Sequence, residues 1–570
     1  MRFLYEGITR DQSGNIITNA TVSVYLTGTT TVASIYITLA GTTAFNTTTS
    51  NSSGRFTFYR DAFDYGTEQL FDISFTKDGY DSQTYTSLKG EVVMGSYGIA
   101  TAKTASYPMI IPYGVLFVHS AGGSIAFSGA VEIGLYQVFS GFDAGDVTFG
   151  AGVVGEVNPQ WFETLVSGTT NAKVAMDSAV AAAPIGGTVR IPLGKWVIST
   201  AWAFSKQVNL KGHGPGSILW ISGLAGSDAI TFGPAAGYMY GVHWQDFAIL
   251  GGATCAANGL VIRNVNNSVF DNIHVMLGST VASVWIKTFG IINKYNFTIS
   301  SNMIASYAYT PTIQTGKAIY CSGAGDVAGT FVKNEFNCII EGGPGYGLHL
   351  LGDASSGSNT IKGTYEGITG EFAVLVEGGT TVRITELHLE ATLVSTNMLK
   401  ILNHSWGYIG PEVFSIPITG CDDIQLVNAD KTIIDGVTVN RLLIDANSDQ
   451  TTIRDLQLFG LADSFLTDSG TNTRYWKLGK TTATVNATPI TVFTPSGFGG
   501  LYQIVVLIAN AGAEYLATAN LLWDGTTARI TSDNGALLTL TLAGNAVQVT
   551  QTSGGAANVI VTARKVLSYN

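Results

Sequence analysis

The stretch Arg383-Ile384-Thr385-Glu386-Leu387-His388-Leu389-Glu390 gathers ionisable side chains more densely than the chain's other repeating segments. If it is a strand, Ile384, Leu387 and Leu389 point inward, and Glu386, His388 and Glu390 share the outward face. Two earlier glutamates recur at matching intervals, since Glu341, Glu366 and Glu390 are separated by 25 and 24 residues. Paired carboxylates are the equipment of glycoside hydrolysis. About 5 Å apart they suit a retaining mechanism, and on rungs two apart, at roughly 9 to 10 Å, an inverting one. Repulsion raises the pKa of one member and leaves a general acid beside an ionised base or nucleophile. Glu366, Glu390, Glu386 and Glu341 are therefore the candidate catalytic residues, with His388 and Tyr365 expected to orient or bind substrate. A solvated glutamate ladder without chemistry is the competing reading of the same spacing.

Trp244, Trp285, Tyr346, Trp406 and Tyr408 are the aromatic residues expected to face outward, where a flat ring can bury the CH-rich face of a sugar. Packing under loops or in a subunit interface is their commoner use. Trp406 and Tyr408, with Arg383, are the candidate substrate-binding residues. A polysaccharide lyase would need a Lys or Arg base and usually calcium. Arg383 and Lys362 lie in suitable segments, but aspartate ligands do not cluster there. A second acidic series, Asp271, Glu335, Glu386, Asp435 and Asp455, is expected just before the strand of each repeat, where such side chains satisfy turn backbone.

These columns require a scaffold that stacks similar segments, and the sequence supplies one. Segments of like pattern begin at Val269, Ile291, Phe331, Thr360, Val382, Ile409, Ile433 and Ile453, which are 20 to 29 residues apart with one interval of 40. That period suits one coil of a parallel β-helix, and the long interval predicts an insertion near residues 300 to 325 that holds Thr310-Pro311-Thr312. A solenoid of about ten coils follows. Composition agrees: 12 % charged residues, 68 glycines and segments rich in Thr, Val, Ile and Asn favour short strands joined by turns.

At 570 residues several domains in series are expected. Residues 1–88 read as a small β-sandwich, 89–155 as a β-rich neck, 156–470 as the β-helix with a capping helix at 171–183, and 471–570 as a second β-sandwich. Turns are expected there at Asp524-Gly525, Asp533-Asn534-Gly535 and Gly544-Asn545, the last joining Leu540-Thr541-Leu542 to Val547-Gln548-Val549. The fold class is all-β: a right-handed single-stranded parallel β-helix flanked by N-terminal and C-terminal β-sandwiches.

Two stretches carry a family resemblance. Gly7, Asp11, Gly14, Asn19-Ala20-Thr21-Val22, Ser53-Gly54-Arg55-Phe56 and Lys77-Asp78-Gly79-Tyr80 resemble the prealbumin-like (carboxypeptidase regulatory-like) domains, which implies attachment or spacing. Val157-Asn158-Pro159-Gln160-Trp161-Phe162, the helix, and Thr188-Val189-Arg190-Ile191-Pro192-Leu193-Gly194-Lys195-Trp196 resemble the opening of the pectate-lyase-like superfamily as it occurs in phage tailspikes. Glu163-Thr164 stand where Gly-Ala is common and Trp196 where Tyr is usual. The resemblance implies a homotrimeric virion spike that acts at the host cell surface, recognises host polysaccharide, attaches to other tail proteins through its N-terminal domain and carries a trimerisation or receptor-contact domain at its C-terminus. Hydrolysis of the polysaccharide is one expectation. A non-enzymatic structural or adhesive fibre and a polysaccharide lyase are the alternatives.

Net charge of −11, with no Lys/Arg cluster, argues against nucleic acid, and lowers without removing the odds of an anionic glycan, because a local basic groove could still bind one. Cys255, Cys321, Cys338 and Cys421 lie far apart without a CxxC pair, so buried thiols are expected. No HExxH-like spacing occurs among the 7 histidines, and neither a metal nor another cofactor is expected. Met1 leads directly into Phe3-Leu4-Tyr5 without a basic and then apolar leader, and the longest apolar stretch, Ile504 to Ala509, is too short to span a bilayer. No membrane insertion is expected, and release by host lysis fits.

Overall fold

The computed structural model describes residues 2–568 apart from 12, 40, 42, 93–94, 166, 170, 253–255, 301–315, 324–326, 342–344, 369, 392–396, 417–422, 459–464, 471–472, 476–477, 486–489, 494–499, 511–512, 524–527, 534–537, 544–545 and 552–556. Cys255, Cys421, the Thr310-Pro311-Thr312 stretch, and the turns at 524–525, 534–535 and 544–545 fall outside the described residues. The chain divides into two compact units, 1–197 with 206–213, and 198–205 with 214–570.

In the first unit, Arg2–Ile8 pairs antiparallel with Arg55–Asp61 and Glu91–Val92, and Thr21–Leu26 with Thr47–Thr49 and Phe71–Thr76, which pairs with Gln83–Leu88. Alternation sends Phe56, Phe58 and Arg60 inward, and the buried Arg60 guanidinium lies 3.8 Å over the Phe3 ring. The neck is itself a small parallel solenoid. Val115–His119 pairs parallel with Gly95–Ile99 and Phe139–Ser140, Ser124–Phe127 with Ala102–Ala105 and Val147–Phe149, and Met109–Ile111 with Val131–Ile133. Stacked Phe117–Phe139 and Phe127–Phe149 pairs fill its interior. The expected helix spans Lys173–Ala182 and buries Ala175, Met176, Ala179 and Ala182. Just before it, Asn158 caps the Pro159–Trp161 turn, and Trp161 donates to the Gly134 carbonyl at 2.9 Å.

The second unit holds a parallel β-helix, and the chain's parallel solenoid has about 12 turns in all. Two long sheets of parallel strands carry it. In one of them Trp244, Phe270, Tyr295, Phe336, Ile361, Ile384, Ile409, Ile434 and Ile453 are successive register partners, all fully buried. Burial of each such side chain contributes about 1.5–3 kcal/mol. Phe270 and Tyr295 stack at 5.4 Å, Tyr295 and Phe336 at 5.1 Å. Between Tyr295 and Phe336 the coil takes 41 residues, where the insertion was expected, yet the column is unbroken.

A buried asparagine ladder follows the turn between the sheets. The Oδ1 atoms of Asn293, Asn334 and Asn359 accept from the N–H groups of Ser268, Asn293 and Asn334 at 3.0 to 3.1 Å. Their Nδ2 atoms donate to the carbonyls of Val265, Gly290 and Phe331. Each turn's backbone polar groups, which water cannot reach, are thereby satisfied. The parallel run ends at Leu478–Val485, which pairs with Thr452–Leu458 on one side and antiparallel with Ala557–Ser568 on the other. The antiparallel strands that follow form the C-terminal β-domain, in which Leu540 opposes Val549 and Leu542 opposes Val547 as the sequence suggests.

Candidate active site

Glu335–Glu341, Asn359–Ile368 and Val382–Ala391 are consecutive rungs of the first sheet. Phe336, Cys338 and Ile340 point into the solenoid, as do Ile361 and Tyr365, and Ile384, Leu387 and Leu389. The outward positions at the ends of these rungs are Glu341, Glu366 and Glu390. Glu341 is the register partner of Glu366, and Glu366 of Glu390, so the column expected from the 25- and 24-residue spacing forms. One carboxylate oxygen each of Glu366 and Glu390 and a ring nitrogen of His388 all lie within 4.8 Å of one another. His388 Nε2 is 4.0 Å from Glu366 Oε1, and the Phe414 ring of the next rung meets the imidazole edge-on at 5.8 Å.

This donor set of two carboxylates and an imidazole could hold a divalent cation.

Glu386 does not join the column. The register slips by one residue between the pairs Ile361/Ile384 and Gly363/Leu387, and Glu386 sits in that bulge with φ +53°. The extra residue is what lets Ile384 and Leu387 both face inward. Glu386 is exposed, 3.6 Å from the ammonium of Lys362, which also lies 3.9 Å from Glu335. The second acidic series likewise fails as a column. Glu335 opens its strand one place before the inward column, Asp271 and Asp435 follow that column by one place, and Glu386 and Asp455 by two. Among them, Asp435 and Asp455 are register partners.

Two aromatic expectations are corrected. Tyr365 is fully buried, and burial holds its phenol pKa well above the ordinary 10, so it is a core residue and not a substrate contact. Trp244 is equally buried, stacked on Phe204, tilted against Phe232 and edge-on to Phe270. On the second sheet Trp285 is half-buried, with its Nε1 donating to Ser322 Oγ at 2.9 Å and Lys287 4.0 Å over its ring. Tyr346 is half-buried beside Glu371, whose charge and hydrogen bond add to burial in raising its pKa.

Arg383 and Tyr408 do meet, with Trp406 just before the Tyr408 strand, but not at the glutamates. Arg383 is seven residues before Glu390 on one strand, which places it about 20 Å away. Its guanidinium lies 5.2 Å over the Tyr408 ring, and Lys431 lies 4.6 Å over the half-exposed Trp406. Phe414 and Lys431 are the neighbours that sequence reasoning missed. Lys431, 25 residues after Trp406, carries a coil-length signal that could have found it. Cys321 and Cys338 are buried free thiols, and burial pushes the Cys338 pKa up to about 12.

No protein-family model matches the chain, and no curated protein matches it. Solved structures follow a similar chain course. A tailspike protein of the Acinetobacter baumannii bacteriophage Fri1, described as a capsular polysaccharide depolymerase, is 10% identical over 72% of this chain and 86% of its own, with a TM-score of 0.17. The gp42 tailspike of Acinetobacter phage vb_AbaP_AS12 is 10% identical over 70% and 82%, with a TM-score of 0.33. The catalytic unit of a GH87 alpha-1,3-glucanase from Streptomyces thermodiastaticus is 12% identical over 83% and 90%, with a TM-score of 0.29. Likeness of this degree carries no argument about chemistry, which must come from the side chains.

Proposed function

We propose that this chain is a virion tailspike subunit that binds host cell-surface polysaccharide and hydrolyses it at Glu366 and Glu390. The observation that carries the reading is their pairing on adjacent outward rungs with carboxylate oxygens within 4.8 Å, beside the half-exposed Phe414 ring. One carboxylate would attack the anomeric carbon while the other, as its acid, protonates the departing glycosidic oxygen. The resulting glycosyl-enzyme ester is then opened by water, which the second residue deprotonates. His388, next to Glu366, would steady the ionised member, and Phe414 offers a surface for a sugar's CH face.

On this reading the spike is a homotrimer on the phage tail. Residues 1–88 attach or space it from other tail proteins, and 471–570 serve trimerisation or receptor contact. Lyase chemistry has less support: Lys362 is held between Glu335 and Glu386, and Arg383 is remote from the acid pair.

The test is incubation of the protein with surface polysaccharide from a panel of bacterial hosts, followed by assay of reducing ends and of the unsaturated ends that a lyase would make. Release of saturated oligosaccharides supports hydrolysis. Binding without release assigns the chain to the adhesive fibres.

A further inference from the structure

The chain carries 40 acidic against 29 basic side chains, and several solenoid cations are spoken for. Arg263 lies near Asp228, Lys362 near Glu335 and Glu386, and Arg454 near Asp435. Arg383 and Lys431 differ, since among the described residues neither has a carboxylate at ion-pair distance; each lies over an aromatic ring instead. Asp430, next to Lys431 in sequence, accepts from the Asp449 N–H, and Asp449, whose carbonyl accepts from the Lys431 N–H, takes a hydrogen bond from Gln450 Nε2 on its carboxylate.

The register explains the convergence. Arg383 is the partner of Tyr408 on the next rung, and Tyr408 of Ile433 on the rung after, which puts Lys431 beside Trp406. Arg383 thus reaches from the coil before, and Lys431 from the coil after, onto the two rings of the coil between. Tyr408 lies in the strand Gly407–Ile409, and Trp406 immediately precedes it. Two cations, each over one of two rings on the same coil, with the Trp406 ring 52% exposed, match a saccharide with a flat CH face and a negative group. The glutamate column about 20 Å away is beyond the Debye length of about 8 Å at physiological salt, so its field does not oppose an anion here.

We infer that Arg383, Trp406, Tyr408 and Lys431 form a subsite for a carboxylate-bearing sugar, so that the polysaccharide bound is acidic, with its charged residue seated on this coil. The inference rests on the glycan-binding part of the proposed function but not on hydrolysis.

Binding is measured by calorimetry on the full chain bearing Glu366→Gln and Glu390→Gln, which cannot cut. The probes are hyaluronan, alginate and polygalacturonate oligosaccharides, each native and carboxyl-reduced. At least one native probe is expected to bind at least tenfold more tightly than its reduced form and to weaken with salt. Adding Arg383→Met with Lys431→Met should remove that preference, and Trp406→Ala should weaken both forms. Circular dichroism and melting confirm that each variant folds, with Trp406→Phe as the milder replacement. Failure of every acidic probe to bind, equal affinity for native and reduced forms, or an unchanged preference in the Arg383/Lys431 variant overturns the subsite. Reducing-end release by wild type would still stand in that event, and host polysaccharide that wild type binds but leaves uncut would retire hydrolysis while keeping the subsite.

Discussion

Glu366 and Glu390 are register partners on neighbouring rungs, and their carboxylate oxygens approach within 4.8 Å because both end strands whose inward residues are locked in the core. That spacing belongs to double displacement. Glu366→Gln and Glu390→Gln should each lower reducing-end release by about 10²–10⁴-fold without changing the fold. Proton NMR of fresh product should show the anomeric configuration retained. An inverted product would move the chemistry to Glu341 and Glu390, two rungs apart.

Tyr365 has a fully buried hydroxyl with no hydrogen-bond partner among the described residues. Tyr365→Phe should therefore leave activity unchanged and stability equal or slightly higher, because a desolvated polar group is removed. Tyr365→Ala should cost about 3–5 kcal/mol through the cavity it leaves. Denaturant melts of the two variants decide it, and a large activity loss in Tyr365→Phe would return the residue to the site.

Asn334 accepts from Asn293 N–H and donates to the Gly290 carbonyl and to Asn359 Oδ1. Asn334→Ala leaves those backbone groups buried and unsatisfied, at about 1–3 kcal/mol each. In a solenoid the damage should stay local. Hydrogen exchange is expected to quicken around 290–293 and 331–334 while the neck and the later coils keep their protection.

Burial pushes the pKa of His404 down to about 4 from the ordinary 6.5. Between those values the unfolded chain binds a proton that the folded chain refuses. The group's contribution to stability is thus whole above pH 6.5 and falls as the pH drops to 4, by about 3 kcal/mol in all. His404 Nδ1 accepts from the Trp406 N–H at 3.3 Å, so protonation also releases the turn that presents Trp406. Melting temperature should fall across this window more steeply in wild type than in His404→Asn. Equal slopes would assign the acid sensitivity to other groups.

The glutamate column was legible in the sequence because coil length varies little from Glu341 to Glu390, so counting residues amounts to counting rungs. Counting failed wherever one residue of slack enters. The bulge at Glu386 offsets it from the acids with which it was grouped, and the parity that would have marked Tyr365 as inward is visible only once Ile361 and Ile384 are fixed as partners. Trp244 was misassigned for a related reason, since an aromatic in an alternating strand suits either face until register is known. The solenoid itself was robust to these slips, because it rests on many repeats and not on any one residue.

The 41-residue coil between Tyr295 and Phe336 enters and leaves the interior column in register. The rise from one rung to the next is set by the strand ladder alone, whereas the length of chain spent going round is set by nothing in the core. Perimeter and pitch are therefore independent variables in this molecule. Loops can be lengthened, shortened or exchanged at a coil's edge without moving Glu366 relative to Glu390, so a lineage of such proteins can alter which surface it recognises while the distance between its two carboxylates stays constant.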